Sequence, residues 1–331
     1  MTDNTHNTHN RALGRSGIEV SAIGFGCWAI GGPFSAGGKP AGWGVVDDAG
    51  STSAISRALD LGVTFFDTAD AYGTGHSERV LGQALGARRD EAVVATKFGN
   101  VLDPANRELV GTDTSAAYVR TACEDSLRRL GTDRVDLYQL HVGDMPLDQV
   151  DGLLATLESL VDAGKVRSYG WSTDDPERAA AFAAGPHCAA VQHQLNLLDD
   201  APAMLDVCAE HDLASVDRGP LAMGLLSGKY TAESRLGADD VRGDSPDWMR
   251  YFTDGRPDPR WLRRLASVRE VLTGDGRTLA QGALGWLLAR DPRTVPIPGC
   301  RTVAQVEENA GVLARGPLTQ DAMKEIGELL V

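Results

Sequence analysis

The chain has 331 residues, 42% hydrophobic and 24% charged, the balance of a globular protein that can bury a full core. Its formal net charge of −14 argues against nucleic acid or an anionic membrane surface as a partner. The five cysteines are odd in number, with no CxxC pair, and read as free thiols of a reducing cytoplasm; no apolar run is long enough to span a bilayer.

In chain order, residues 1–10 are polar and lack the basic and apolar regions of a signal peptide, so a disordered tail is expected there, with one domain over residues 11–331. The turn Leu13–Ile18 between β-type residues predicts a hairpin from Arg11 to Ser21. A strand Ala22–Gly26 follows. The Gly-rich stretch Cys27–Gly50, with Trp28 and Trp43, is too long for a simple strand-to-helix turn and reads as a functional loop.

Strands and helices then alternate. Apolar runs lead into Asp67, Lys97 and His141, and further strands are expected at Val166–Ser172, Ala189–Leu195, Leu213–Asp217 and Thr294–Pro296. Helical patterns run near Ser53–Leu61, Ser77–Leu85, Ser115–Leu130, Leu147–Ala163, Pro176–Ala183, Ala203–His211 and Leu279–Ala289. Eight strands in this rhythm predict an α/β fold, a (β/α)₈ TIM barrel with an N-terminal β-hairpin and extra helices; a doubly wound open sheet is the runner-up. The polar stretch Lys229–Arg260 reads as a lid-like loop, followed by an extra helix Trp261–Leu272 and a terminal helix Leu318–Val331.

Asp67, Tyr72, Lys97 and His141 thus sit at the carboxyl ends of successive strands, where barrels carry their chemistry. A phenol, an ammonium, a carboxylate and an imidazole together suit proton transfer to an oxygen. Lys97 is expected to lower the Tyr72 pKa, Asp67 to anchor the ammonium, and His141 to orient a carbonyl oxygen. Singly, Asp67 could cap a turn, Tyr72 could be a half-buried aromatic, Lys97 a solvated strand end and His141 structural. No metal is expected, because His76, His187, His193 and His211 are scattered without ligand spacing.

The motif Phe66-Asp67-Thr68-Ala69-Asp70-Ala71-Tyr72-Gly73, with Lys97 and His141 downstream, resembles the aldo-keto reductases over nearly the whole chain. The resemblance implies a (β/α)₈ barrel whose catalytic tetrad is Asp67, Tyr72, Lys97 and His141. It implies NADPH/NADP⁺ as cofactor and a small-molecule carbonyl compound as substrate, reduced to an alcohol by hydride from nicotinamide C4 and a proton from Tyr72. Ser172 and Gln192 would hold the nicotinamide carboxamide. The segment Gly219–Lys229, with Pro220, Leu221, Met223 and Lys229, would follow the pyrophosphate. Gly299, Arg301, Gln305, Glu308 and Asn309 would hold the adenosine end, Arg301 meeting the 2′-phosphate. Trp28 would border both cofactor and substrate, and Trp43 and Trp248 would wall the substrate pocket. A cofactor-sensing regulatory subunit with little turnover is the alternative function.

Two departures stand out. Arg218 occupies the position of the aromatic residue that usually stacks on the nicotinamide; its charge would disfavour the oxidised, cationic ring. Thr173 stands where the family often has Asn, which leaves Asp174 or a water to complete the carboxamide clamp.

Overall fold

Short apolar runs separated by amphipathic segments become eight parallel strands in the computed structural model, which describes residues 9–330 apart from 238, 244, 245 and 247. They are β1 (Gly24–Gly26), β2 (Phe65–Asp67), β3 (Val93–Phe98), β4 (Val135–Leu140), β5 (Val166–Ser172), β6 (Cys188–Gln194), β7 (Ala214–Arg218) and β8 (Thr294–Pro296). Each pairs in parallel with the next in sequence. The ring closes between β1 and the segment after β8. There Gly26 bridges to Gly299, and the Gly26 N–H donates to the Pro298 carbonyl at 3.0 Å. Gly26 is required at this seam, since a Cβ there would lie 2.6 Å from the Ile297 carbonyl oxygen. The expected (β/α)₈ barrel is therefore the fold, and the open sheet is excluded by the closing bridge.

The two-residue period of a strand sorts the side chains. Phe65, Ala95, Leu137, Ala190, Ala214, Val216 and Val295 fill the lumen as one apolar cluster with Leu13, Ile18 and Val20. Those last three belong to the N-terminal hairpin, Asn10–Ala12 paired with Glu19–Ser21, which plugs the amino-terminal end of the barrel. The tail expected over residues 1–10 lies outside the described residues as far as residue 8, and Asn10 already belongs to the hairpin. Phe66, Val94, Tyr138 and Val191 face the other way, into a larger cluster against the helices. Two residues beyond the apolar layer, on the same faces, come Asp67, Lys97, Gln139 and Gln192.

The helices are α1 (Asp48–Asp60), α2 (His76–Leu85), α3 (Ala116–Leu130), α4 (Val150–Asp162), α5 (Pro176–Phe182), α6 (Pro202–His211), α7 (Pro259–Leu272), α8 (Leu279–Arg290), α9 (Val303–Arg315) and α10 (Gln320–Leu329). None is long and apolar enough to cross a membrane. α1 starts five residues before its expected position because Asp47 caps it, accepting from the Ala49 N–H. The segment Leu147–Ala163 begins as a 3₁₀ turn before α4.

The Cys27–Gly50 loop is more structured than expected. Its strands Ser35–Ala36 and Lys39–Pro40 join a hairpin, Asn100–Asp103 with Glu108–Thr112, in a small four-stranded sheet. It also meets the Lys229–Arg260 segment: the Val241 N–H donates to the Gly42 carbonyl at 3.0 Å, and Trp43 bridges to Asp240.

Gly26→Ala should cost about 1–3 kcal/mol, because the added methyl overpacks the seam where no side chain can yield. Urea unfolding of the two proteins side by side measures the difference.

Candidate active site

The polar layer at the carboxyl end of the lumen is organised by one ammonium group. Lys97 is fully buried, and its Nζ lies 2.5 Å from Asp67 Oδ1, 2.8 Å from the Thr68 carbonyl oxygen and 3.1 Å from Tyr72 Oη. Three donors meet three acceptors. Burial pushes the ammonium pKa down, but the Asp67 charge and the Tyr72 oxygen outweigh it and hold Lys97 above its ordinary value. The second carboxylate oxygen, Asp67 Oδ2, accepts from Gln139 Nε2 at 2.9 Å and Gln192 Nε2 at 2.8 Å.

Tyr72 reaches this group from the turn after β2. The turn packs so closely on Gly31 that a Cβ on Gly73, at φ 60°, would sit 1.8 Å from the Gly31 carbonyl oxygen. Because Lys97 donates to Tyr72 Oη, the phenol's own proton is left over, and it has no acceptor among the described residues. The expected lowering of the Tyr72 pKa is corrected by its burial. Desolvation raises the phenol above its ordinary value, and Lys97 pulls it down without overcoming that.

The His141 ring stands edge-on to Tyr72, centroids 5.8 Å apart at 86°. Its Nδ1 is buried with no partner among the described residues. Burial first, then the charges of Lys97 and Arg218, lower its pKa to about 3. His141 is therefore a neutral imidazole at physiological pH.

These residues open onto a cavity of about 780 Å³. Asp67, Tyr72 and His141 line it and Lys97 lies behind them. Ser172, Gln192 and Arg218 line the part beside the tetrad. Pro220, Leu221, Met223 and Lys229 continue along one side, and Gly299, Arg301, Gln305, Glu308 and Asn309 reach the far end. Trp28, Trp43 and Trp248 form an aromatic wall, with Trp28 stacked on Tyr72 at 6.1 Å, edge-on to Trp43 at 5.1 Å and tilted to Trp248 at 6.2 Å. Trp248 is 55% exposed.

Several partners differ from expectation. Gln192, expected at a nicotinamide carboxamide, is held by Asp67. Arg218 is tethered, donating to Asp174 and to Gln194 Oε1 at 3.1 Å. Thr173 is buried and donates to the Gly143 carbonyl. Asn309 is buried and donates to Cys300 Sγ at 3.2 Å. Gln305 Oε1 accepts from the Arg301 N–H at 2.8 Å. Among the described residues, the Arg301 guanidinium donates only to the Trp43 carbonyl, at 3.1 Å.

Two further residues escaped the sequence. Gln139 lies two positions before His141, so strand periodicity puts both on one face; that signal was available. Arg242 had none. It is 4% exposed, forks onto Asp240 at 2.8 and 2.6 Å, donates to the Met223 carbonyl at 3.0 Å and lies 4.6 Å over the Trp43 ring.

Residues 22–331 match the family model described as Aldo/keto reductase family. The chain is 32% identical over 327 residues to the aldo-keto reductase YhdN of Bacillus subtilis, covering 96% of this chain and 92% of that protein. Its structure is similar to that of a glycerol dehydrogenase from Gluconobacter oxydans, with TM-score 0.82, 30% identity, and 98% and 95% of the two chains covered. It is also similar to an aldo/keto reductase from Klebsiella pneumoniae solved with NADP and acetate, with TM-score 0.69, 27% identity and 97% and 95% coverage.

Asp67→Asn should destabilise the protein by ~3–5 kcal/mol in urea, since it strands a buried ammonium. Both Lys97 and Tyr72 have raised pKa values, so their contributions to wild-type stability are complete below the ordinary Lys and Tyr values and disappear as pH rises through the folded ones. Wild-type stability should therefore show no loss from these groups near neutrality and an alkaline decline above about pH 10.

Proposed function

This chain belongs to the aldo/keto reductase family, and from that premise we propose that Tyr72 is the acid that protonates the oxygen of an aldehyde or ketone on its way to an alcohol. The chain is an NADP-dependent oxidoreductase. What carries the role of Tyr72 is a single feature. Its oxygen takes an N–H of Lys97, its own proton has no protein acceptor among the described residues, and the residue lines the cavity beside His141.

The cavity suits a dinucleotide carrying phosphates. Arg218, Lys229, Arg242 and Arg301 line it in a chain of net charge −14, a local concentration of cations against the overall balance. Ala222 and Met223 are held at φ 48° and 56°, conformations that non-glycine residues rarely adopt outside functional turns. The α9 amino terminus, capped by Thr302, adds the positive end of a helix dipole beside Arg301. Ser172 and Gln192 would hold the nicotinamide carboxamide, Pro220 to Lys229 the pyrophosphate, and Arg301 the 2′-phosphate. NADPH, when bound, supplies the hydride.

Lys97 keeps the Tyr72 oxygen in place and stabilises negative charge as it develops there. Asp67 holds Lys97. The neutral His141 imidazole can donate one hydrogen bond to the substrate oxygen and orient it toward Tyr72. Trp28, Trp43 and Trp248 offer flat apolar faces to the rest of the substrate. Arg218 shares its charge with Asp174, so its repulsion of a cationic ring is weaker than that of a bare guanidinium.

Tyr72→Phe should lower kcat by ~10²–10⁴-fold with little change in the NADPH Kd. A folded variant that turns over at the wild-type rate would sink the assignment. The wild-type kcat/KM profile should show no limb from His141 between pH 5 and 8, given its pKa of about 3. Tight NADPH binding without turnover across a panel of aldehydes and ketones would move the reading to a cofactor-sensing subunit.

Arg301→Ala should raise the NADPH Kd about tenfold or more and leave the NADH Kd nearly unchanged. In the same titrations, Arg218→Trp should shift the ratio of NADP⁺ to NADPH affinity toward the oxidised form. Unmoved constants in either variant count against that residue's role.

A further inference from the structure

An ionised carboxylate only accepts hydrogen bonds, and this fixes how two buried amides must turn. Gln139 and Gln192 both place Nε2 on Asp67 Oδ2, at 2.9 and 2.8 Å. Gln192 Nε2 also lies 3.3 Å from Gln139 Oε1. Both N–H groups of Gln192 are therefore committed inside the lumen. Its carbonyl oxygen has no donor among the described residues, and Gln192 lines the cavity while the fully buried Gln139 does not. Turning Gln192 over would set its oxygen against the Asp67 charge and leave Gln139 Oε1 buried without a donor, both unfavourable in a dry lumen.

We propose that Gln139 is a positioning residue that, with Asp67, locks the Gln192 amide so that its carbonyl oxygen faces the cavity and accepts the N–H of a nicotinamide carboxamide. The proposal rests on reading this cavity as the NADP site. Ser172 is the register partner of Gln192 on the adjacent strand, and its hydroxyl is then left to donate to the carboxamide oxygen. Asp67 divides its work accordingly. Oδ1 holds the ammonium that serves Tyr72, and Oδ2 holds the amides that orient the ring, so one carboxylate aligns the proton donor with the hydride donor.

The test compares NADPH with its reduced acetylpyridine analogue, in which a methyl group replaces the carboxamide NH₂, by equilibrium fluorescence titration without substrate. Wild-type protein should bind the analogue ~2- to 12-fold more weakly, the worth of one neutral hydrogen bond. In Gln139→Leu the Gln192 amide keeps Asp67 but loses the acceptor of its second N–H, so it is held less firmly and the preference should fall to within about twofold. Ser172→Ala should weaken both ligands and keep the preference.

Gln139→Met fills a similar space without an acceptor and should lose the preference as Gln139→Leu does, a loss that a packing role would not produce. A wild-type protein that does not distinguish the two ligands overturns the proposal. So does a preference that survives in Gln139→Leu and Gln139→Met. If NADPH itself fails to bind wild-type protein, the cofactor reading fails, and this proposal falls with it.

Discussion

The buried ion pair between Lys97 and Asp67 is the constraint on which the rest of the site depends. Taking two charges out of water costs several kcal/mol each, and the loss is recovered only if every polar atom of the pair finds a partner. Here each does. The ammonium has the carboxylate, the Thr68 carbonyl and the phenol; the carboxylate has the ammonium and two amides. Asp67, Lys97, Gln139 and Gln192 come from four different strands, and only a closed ring of strands brings them to one point. The barrel holds the ion pair, and the ion pair dictates which polar side chains that level of the lumen accepts.

The same pair sets the electrostatics of its neighbours. A permanent cation behind Tyr72 is paired with a phenol that burial keeps protonated. Burial first, and then that cation with Arg218, keeps the His141 imidazole neutral. Two titratable groups are thereby given fixed states at physiological pH, one an acid and one an uncharged hydrogen-bonding group.

At the mouth, the loop after β1 and the segment after β7 form one structure. Arg242 ties them together: it is salt-bridged to Asp240, bonded to the Met223 carbonyl and laid over the Trp43 ring. Arg301 reaches the same place through the Trp43 carbonyl. The aromatic wall and the basic side of the cavity therefore share a scaffold. Trp43 faces both, and a change in either loop should be felt on both sides.

The barrel, its eight strands and the positions of Asp67, Tyr72, Lys97 and His141 were legible in the chain itself, because they depend on local facts. Alternating apolar runs define strands, a strand's end defines a rim, and a two-residue period defines a face. Gln139 obeyed the same period and could have been read from its spacing to His141. Other features rest on contacts between residues far apart in sequence. The four-stranded sheet pairs residues near 35 with residues near 108. Arg218 meets Asp174, and Arg242 meets Trp43. The Tyr72 pKa runs upward because desolvation, invisible to a motif, exceeds the pull of Lys97. The sequence by itself determined the fold and which polar side chains gather at the strand ends, since both follow from patterns a few residues long. Only the tertiary structure decided their protonation states, the orientation of the Gln192 amide and the joining of the two loops, because burial and partner choice are properties of the closed barrel and of no segment alone.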